Sequence, residues 1–467
     1  MLFWESGLVF NVLLIAGFLG VASLLRRAIK PLQTLAIPAC IMAGVLGLAL
    51  GPGGADAVSY DYGMLESMVY HGLAIIFIAI GLQKPAKGMR AGGAASMAFA
   101  IPTMAVFQGF IGLGTVLVMG YVAGEMMHPG IGLMLPLGFS QGPGQALSMG
   151  KAWEASGMEQ GAQVGLIIAV LGYGWSILVG IPLVAWGRKK GLFKPPGERQ
   201  DVQLDEDDEP LPPPTPGALE HVTIHLMMVG VIYLLAYGAL ELLASVLASK
   251  PQFAAMIWGF HFLFGLFLAL GVRRFMNRFP DLTPKLDNRL LGNITGVTVD
   301  IITCAALMAV QIEVFKAHWL PIMIITTLGG GLTLVVLLWI VGRAFPEAPF
   351  EHCVLLFGMM TGTLPMGLAL LRILDPELRG VAPINAILGS AGALVLGAPL
   401  LLVVLPMPVA SWPDNYPSGG WLAIGVMTIY LALILFGWWK FGPLRMAKPL
   451  ARLWVTLDED AQNQRSA

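Results

Sequence analysis

Polar residues fall in short clusters along this chain, and the stretches between them are almost wholly apolar. A helix that crosses the roughly 30 Å hydrocarbon core of a bilayer needs about 20 such residues. Stretches on that scale fall at 7–25, 36–50, 67–82, 94–122 and 161–186, and again at 222–248, 253–272, 290–311, 321–341, 383–405 and 421–440. Two further stretches, 130–149 and 354–373, are equally apolar but are interrupted by Gly, Pro, Ser or Thr. Nothing alternates with the two-residue period of a half-buried strand, and the runs are too long for barrel strands. The pattern predicts an all-α chain that passes repeatedly through a membrane.

Composition agrees. Of 467 residues, 57% are hydrophobic and 12% charged, where soluble domains carry about 25% charged residues. The mean hydropathy is +0.77. A water-facing surface cannot be built from so little polar material, so a cytosolic enzyme, a nucleic-acid binder and a secreted disulfide scaffold are excluded as first readings. The three cysteines, Cys40, Cys304 and Cys353, lie in or beside apolar stretches at irregular spacings and read as small apolar side chains.

The net charge of -1 carries little information, but the placement of the charges does. Arg26, Arg27 and Lys30 follow the first stretch, and Lys84, Lys87 and Arg90 the third. Arg188, Lys189, Lys190 and Lys194 follow the fifth, Arg273, Arg274 and Arg278 the seventh, and Lys440, Arg445, Lys448 and Arg452 the last. The intervening loops hold Lys151, Lys250 and Lys316 together with Asp56, Asp61, Glu66, Glu125 and Asp414. Basic loops face the cytoplasm, so the amino terminus is expected outside and the carboxyl terminus inside a bacterial inner membrane. Residues 1–6 lack a basic leader, and no cleaved signal peptide is expected.

This alternation closes only if 130–149 and 354–373 do not cross but enter and return, the first from outside and the second from the cytoplasm. The predicted architecture is therefore an inverted-topology repeat of five transmembrane helices plus a re-entrant hairpin, with one extra C-terminal transmembrane helix. The first repeat occupies 1–190 with its hairpin near 130–150, and the second 221–406 with its hairpin near 354–374. An acidic, Pro-rich linker, 191–220, joins them, and 419–467 holds the extra helix and tail. Inverted repeats with broken helices at the midplane are the plan of many secondary transporters.

Unwound backbone inside a membrane is tolerated only where it is buried in protein or lines a cavity. There its carbonyls and hydroxyls can hold a dehydrated cation, and its half-helix amino termini can receive an anion. The candidate substrate-binding groups are therefore Ser140, Gln141, Gly142, Gly144 and Gln145 in the first hairpin and Thr361, Gly362, Thr363 and Pro365 in the second. Arg372, at the end of the second hairpin, either pairs with a substrate carboxylate or snorkels to the cytoplasm. Asp300, a charge in the middle of 290–311, and Thr298 beside it are candidates for a sodium or proton coupling site. His225 and His261 read as interfacial or packing residues. Gly138-Phe-Ser140-Gln-Gly142 also fits the nucleophile elbow of hydrolases, but it lacks the preceding strand that the elbow requires.

Several of these residues occur in an order that resembles the bacterial sodium–glutamate symporter family. Ile37-Pro38 with Ala43-Gly44, Ile80-Gly81-Leu82 with Arg90-Ala91-Gly92-Gly93, Leu291-Gly292-Asn293 and Gly362-Thr-Leu-Pro365 are similar to its motifs. Ser140 to Gln145 occupies the place of its Gly-rich hairpin, and Lys151 that of a lysine soon after. The resemblance runs over roughly 30–406. The chain departs from the family at Gln141-Gly142-Pro143-Gly144-Gln145, where a histidine is absent, at Met366 and Leu370, and at Asp300. The resemblance implies sodium-coupled uptake of glutamate or a related small carboxylate, with sodium as coupling ion and no other cofactor. The expected partners are a small anionic substrate, sodium and the lipid bilayer, with no nucleic acid; a homodimer is left open. The alternatives are a proton-coupled transporter of another organic anion using Asp300 and an intramembrane serine hydrolase using Ser140.

Overall fold

The structure, a computed structural model, describes residues 7–35, 37–84, 92–193, 218–279, 284 and 286–444. Most of the expected linker, 194–217, lies outside the described residues, as do Lys87, Arg90 and the tail beyond 444. Among the described residues every regular element is helical: α1 (Gly7–Ala28), α2 (Lys30–Thr34), α3 (Ala39–Leu50), α4 (Tyr62–Leu82), α5 (Gly93–Ala123), α6 (Pro129–Pro136), α7 (Pro143–Glu154), α8 (Gly161–Leu178) and α9 (Gly180–Lys189). The second half holds α10 (Ala218–Val246), α11 (Pro251–Gly259), α12 (His261–Arg278), α13 (Asn288–Met308), α14 (Ile312–Ala344), α15 (Pro349–Arg372), α16 (Val381–Pro399), α17 (Pro406–Ala410) and α18 (Ser418–Phe441). Ten helices among the described residues are long and apolar enough to cross a membrane, or eleven if the bent pair α11–α12 counts as one span. The protein is an all-α, multi-pass membrane protein.

Small residues let these helices approach closely, as in membrane bundles generally. A methyl on Gly44 of α3 would lie 2.6 Å from Leu307 Cβ on α13, and one on Gly81 of α4 2.7 Å from Ala269 Cβ on α12. Gly72 of α4 packs on Ile302 of α13. The three cysteines are free and buried, as expected of apolar packing residues.

Charge separates along the bundle. The Lys84 N–H donates to Asn288 Oδ1 at 2.8 Å, Arg273 donates to the Gln83 carbonyl, and Ser96 Oγ donates to the Ala344 carbonyl at 2.8 Å. These contacts join the ends of α4, α12 and α14 to the starts of α13 and α5. At the opposite end the Tyr60 hydroxyl donates to the carbonyls of Gly47 (3.2 Å) and Met308 (3.0 Å).

Two expected spans differ in form. The stretch 36–50 yields only the 12-residue α3, which starts after Pro38 at its N-cap, itself in a non-helical conformation (φ -58°, ψ 138°). At about 1.5 Å per residue this helix is too short to cross alone. The stretch 253–272 is not one helix but α11 and α12, bent by 59°. The break at Phe260 is a tertiary product: Gly259 lies against Ala152 of α7, and Ser148 Oγ donates to the Gly259 carbonyl at 2.8 Å, satisfying a group that the bend frees. His261, just past the bend, stacks on Tyr70 with ring centroids 3.7 Å apart, a packing role.

Candidate functional site

The two interrupted stretches each fold back on themselves. In the first, α6 leads into a five-residue π-turn, Leu137–Gln141, and α7 restarts at Pro143. Its two outer ends close on one another: the His128 Nε2–H approaches the Ser156 carbonyl at 3.3 Å, and a methyl on Gly130 would lie 2.7 Å from Met158 Sδ. His128 also caps α6, its Nδ1 accepting from the Gly130 N–H at 3.0 Å. Burial pushes its imidazole down to about 4, so it stays neutral and keeps that acceptor.

In the second, α15 is interrupted at Gly362 (φ -156°, ψ 26°) and Thr363 (φ 70°, ψ 172°). Its limbs then run antiparallel: a methyl on Gly358 would lie 2.6 Å from Gly367 Cα, and one on Gly367 2.5 Å from the Leu355 carbonyl oxygen. The mouth of this hairpin sits at the basic end of the bundle, where Arg188 donates to the Ile373 carbonyl at 2.8 Å.

The tips meet. Gly142 has φ 90° and ψ 178°, a conformation open to glycine, and a methyl there would lie 2.5 Å from Thr363 Cγ2. Thr363 itself occupies a region that side chains rarely adopt, at a cost of about 1–3 kcal/mol. The Tyr173 ring of α8 packs beside the break, where a methyl on Gly362 would lie 2.9 Å from Tyr173 Cδ1.

Each tip presents both ends of a helix. The first limbs end there with carbonyls that no longer have a full set of helical donors. The second limbs, α7 and 364–372, begin there with N–H groups and the positive end of a helix dipole. Such a junction can accept a carboxylate and an alkali cation side by side.

The polar side chains at the two tips are used differently. Ser140 is half-buried and donates to the Pro136 carbonyl at 2.7 Å within its own limb; Gln141 is also half-buried. Gly144 is buried, and Gln145 is 4% exposed with its Oε1 lacking a hydrogen-bond partner. At the second tip Thr361 is fully buried, donates to the Phe357 carbonyl at 2.7 Å and shares a 2.6 Å hydrogen bond with Ser176 Oγ. Gly362 is buried against Ser176, while Pro365 is exposed.

Three sequence candidates stand apart from this junction. Arg372 is exposed in the last turn of α15, at the mouth rather than the tip, one limb away from Thr363. Thr298 and Asp300 do not converge, because residues two apart on a helix face different ways. Thr298 faces α4, its methyl 3.3 Å from a methyl built on Gly72, and its hydroxyl donates to the Ile294 carbonyl at 2.7 Å. Asp300 is exposed. Among the described residues no group of three or more His, Cys, Asp or Glu side chains forms a metal cluster.

The structure adds residues that the motif search passed over. Gln108 of α5, fully buried, donates from Nε2 to the Met360 carbonyl at 2.7 Å and to Thr333 Oγ1 of α14 at 3.1 Å. Ser176 approaches the Gly358 carbonyl at 3.4 Å as well as Thr361. Together they satisfy carbonyls in the turn before the second break. The available signal was a lone amide in the middle of a long apolar helix, which membrane insertion makes expensive.

In comparison with known proteins, the chain matches the model of a family described as "Sodium/glutamate symporter" over residues 6–364. No curated protein and no solved structure matches the chain. The match starts at the first helix and stops at the second tip, so α16, α17 and α18 lie outside it. It thus begins earlier and ends sooner than the span expected from individual motifs.

Proposed function

Because the chain belongs to the sodium/glutamate symporter family, we propose that this transporter couples inward sodium flow to uptake of glutamate or a related small carboxylate across a bacterial inner membrane. The observation that carries the reading is the contact of the two hairpin tips at Gly142 and Thr363, each offering helix amino termini and unwound carbonyls. Substrate carboxylates are received by the N–H groups at the starts of α7 and of 364–372. Ser140, Gln141, Gln145, Thr361 and Thr363 supply amide or hydroxyl groups, with Gly142, Gly144 and Gly362 allowing close approach. Arg372, at the mouth, meets the substrate on its way in or out. Sodium is bound by tip carbonyls or by Asp300 on its separate face.

The hairpins enter the membrane from opposite sides, and the two halves form an inverted repeat. The reciprocal packing of α3 on α13 and of α12 on α4 supports that arrangement, since a two-fold axis would relate these pairs. Access alternates when the hairpin-bearing part moves against the remaining helices.

Accumulation of labelled glutamate in proteoliposomes tests this. An imposed inward sodium gradient is expected to drive accumulation above the level reached with potassium. Accumulation indifferent to sodium overturns the coupling.

One observation favours a second reading, in which a proton is the coupling ion. Asp300 is the carboxylate within α13 and lies one turn before the buried Thr303. If Asp300 carries the proton, Asp300→Asn abolishes the pH dependence of uptake. A sodium response that survives in this variant, with no pH effect in either protein, rejects that version.

A further inference from the structure

A cavity of about 670 Å³ opens at the basic end of the bundle, away from both hairpins. Its walls are the last turn of α4, the first turns of α10, the last turns of α12 and the start of α13. Lys84, Arg273, His221, Asn277 and Asn288 supply its polar lining, over an apolar base that includes Leu82. Lys84 and Arg273 give it positive charge from two separate helices.

The two residues are anchored differently, Lys84 through its backbone and Arg273 through its guanidinium. Asn288 pins Lys84 from both directions, its Oδ1 accepting from the Lys84 N–H at 2.8 Å and its Nδ2 donating to the Lys84 carbonyl at 3.2 Å. Arg273 is steered by its hydrogen bond to the Gln83 carbonyl and keeps further guanidinium N–H groups. The acid in the wall, Asp287, is occupied as a helix cap: its Oδ1 accepts from the Arg289 N–H at 2.7 Å, and its own N–H donates to His225 Nε2 at 2.8 Å. The cavity therefore pairs the steered Arg273 guanidinium and the exposed Lys84 with amide donors, and among the described residues its lining carboxylate, Asp287, is tied to the backbone.

We propose that this cavity binds the phosphate group of an anionic phospholipid. Two cations with neighbouring amides match the charge and acceptor oxygens of a phosphodiester. The surroundings suit the rest of such a molecule. Leu226 on α10 (54% exposed), Phe275 on α12 (54%) and Phe279 (43%) leave apolar surface close by for acyl chains. Among the described residues no lining residue belongs to α6, α7 or α15, so this site is separate from the substrate junction and independent of what the transporter carries.

Native mass spectrometry of the detergent-purified full chain tests the assignment, with phosphatidylglycerol and phosphatidylcholine offered in competition. Wild type is expected to retain phosphatidylglycerol preferentially, and Lys84→Gln/Arg273→Gln to lose at least five-fold of that retention. Arg26→Gln/Arg27→Gln removes the same charge from the basic end and is expected to retain it. Lys84→Arg/Arg273→Lys, which preserves charge, separates loss of binding from loss of fold by keeping at least half of the retention. A thermal shift with inorganic phosphate, abolished by the Gln variant, would instead assign the same phosphate chemistry to a soluble source and overturn the lipid. Equal retention by wild type and the Gln variant, or no preference over phosphatidylcholine, overturns the proposal.

Discussion

The two hairpins reach the same point by different means. The first turns through five residues of π-helix and then Gly142, and its polar side chains find few outside partners. Ser140 bonds within its own limb, and Gln145 Oε1 is buried without a partner. The second turns in only two residues, Gly362 and Thr363; Gln108 and Ser176 hydrogen-bond to it from outside, and the Tyr173 ring packs on Gly362. Unused hydrogen-bonding capacity in a buried place is costly unless a ligand or water supplies the partner. Gln108 Oε1 beside the second tip is also buried without a partner, so the contrast rests on outside support, and the division it predicts is substrate selection mainly at the first tip and rigid support mainly at the second.

The harshest way to break that comparison is Gly142→Ala. It forces a side chain into φ 90° and drives a methyl against Thr363 Cγ2. Unfolding free energy is expected to fall by about 3 kcal/mol or more, with glutamate uptake falling to background. A variant of wild-type stability, measured by thermal unfolding in detergent, would show that the tips do not touch. A middle-sized effect sharpens the division of labour. Gln108→Leu strands the Met360 carbonyl and is expected to cost about 1–3 kcal/mol. Gln145→Leu removes an oxygen without a partner, so stability should change by less than about 1 kcal/mol while apparent affinity for glutamate drops. If the two variants exchange these signatures in paired unfolding and uptake assays, the roles of the tips are reversed. The smallest effect comes from Thr363→Gly, which relieves backbone strain but forfeits the methyl that meets Gly142. A net gain of about 1 kcal/mol in unfolding free energy is expected, and a loss of that size would mean that the contact with the first tip outweighs the strain.

Most long helices were legible in the sequence because a membrane helix declares itself in an uninterrupted apolar run. That the two interrupted stretches fold back was legible from the Gly, Pro, Ser and Thr that break them. What local pattern could not carry is what neighbours impose. The bend at Phe260 depends on Ser148, more than a hundred residues away, reaching the Gly259 carbonyl. The support of the second tip depends on hydrogen bonds from Gln108 and Ser176 and on packing of the Tyr173 ring, single residues on two helices that no motif joins. Thr298 and Asp300 looked like a pair in one dimension, but their spacing turns them different ways. Arg372 was close to the hairpin motif in sequence, yet the limb carries it to the mouth.

The last helix, α18, lies beyond the region matched to the family, yet it is bolted along α5. Gly420 receives Leu117 near one end, and Met427 meets Gly109 in the middle. Near the other end the Trp438 indole donates to Ser96 Oγ at 3.2 Å. Three anchor points spread over the length of a rod resist sliding far better than one. Whichever part of this carrier travels during a cycle, α5 and α18 must ride as a single strut, and Gln108 ties the second hairpin to that strut.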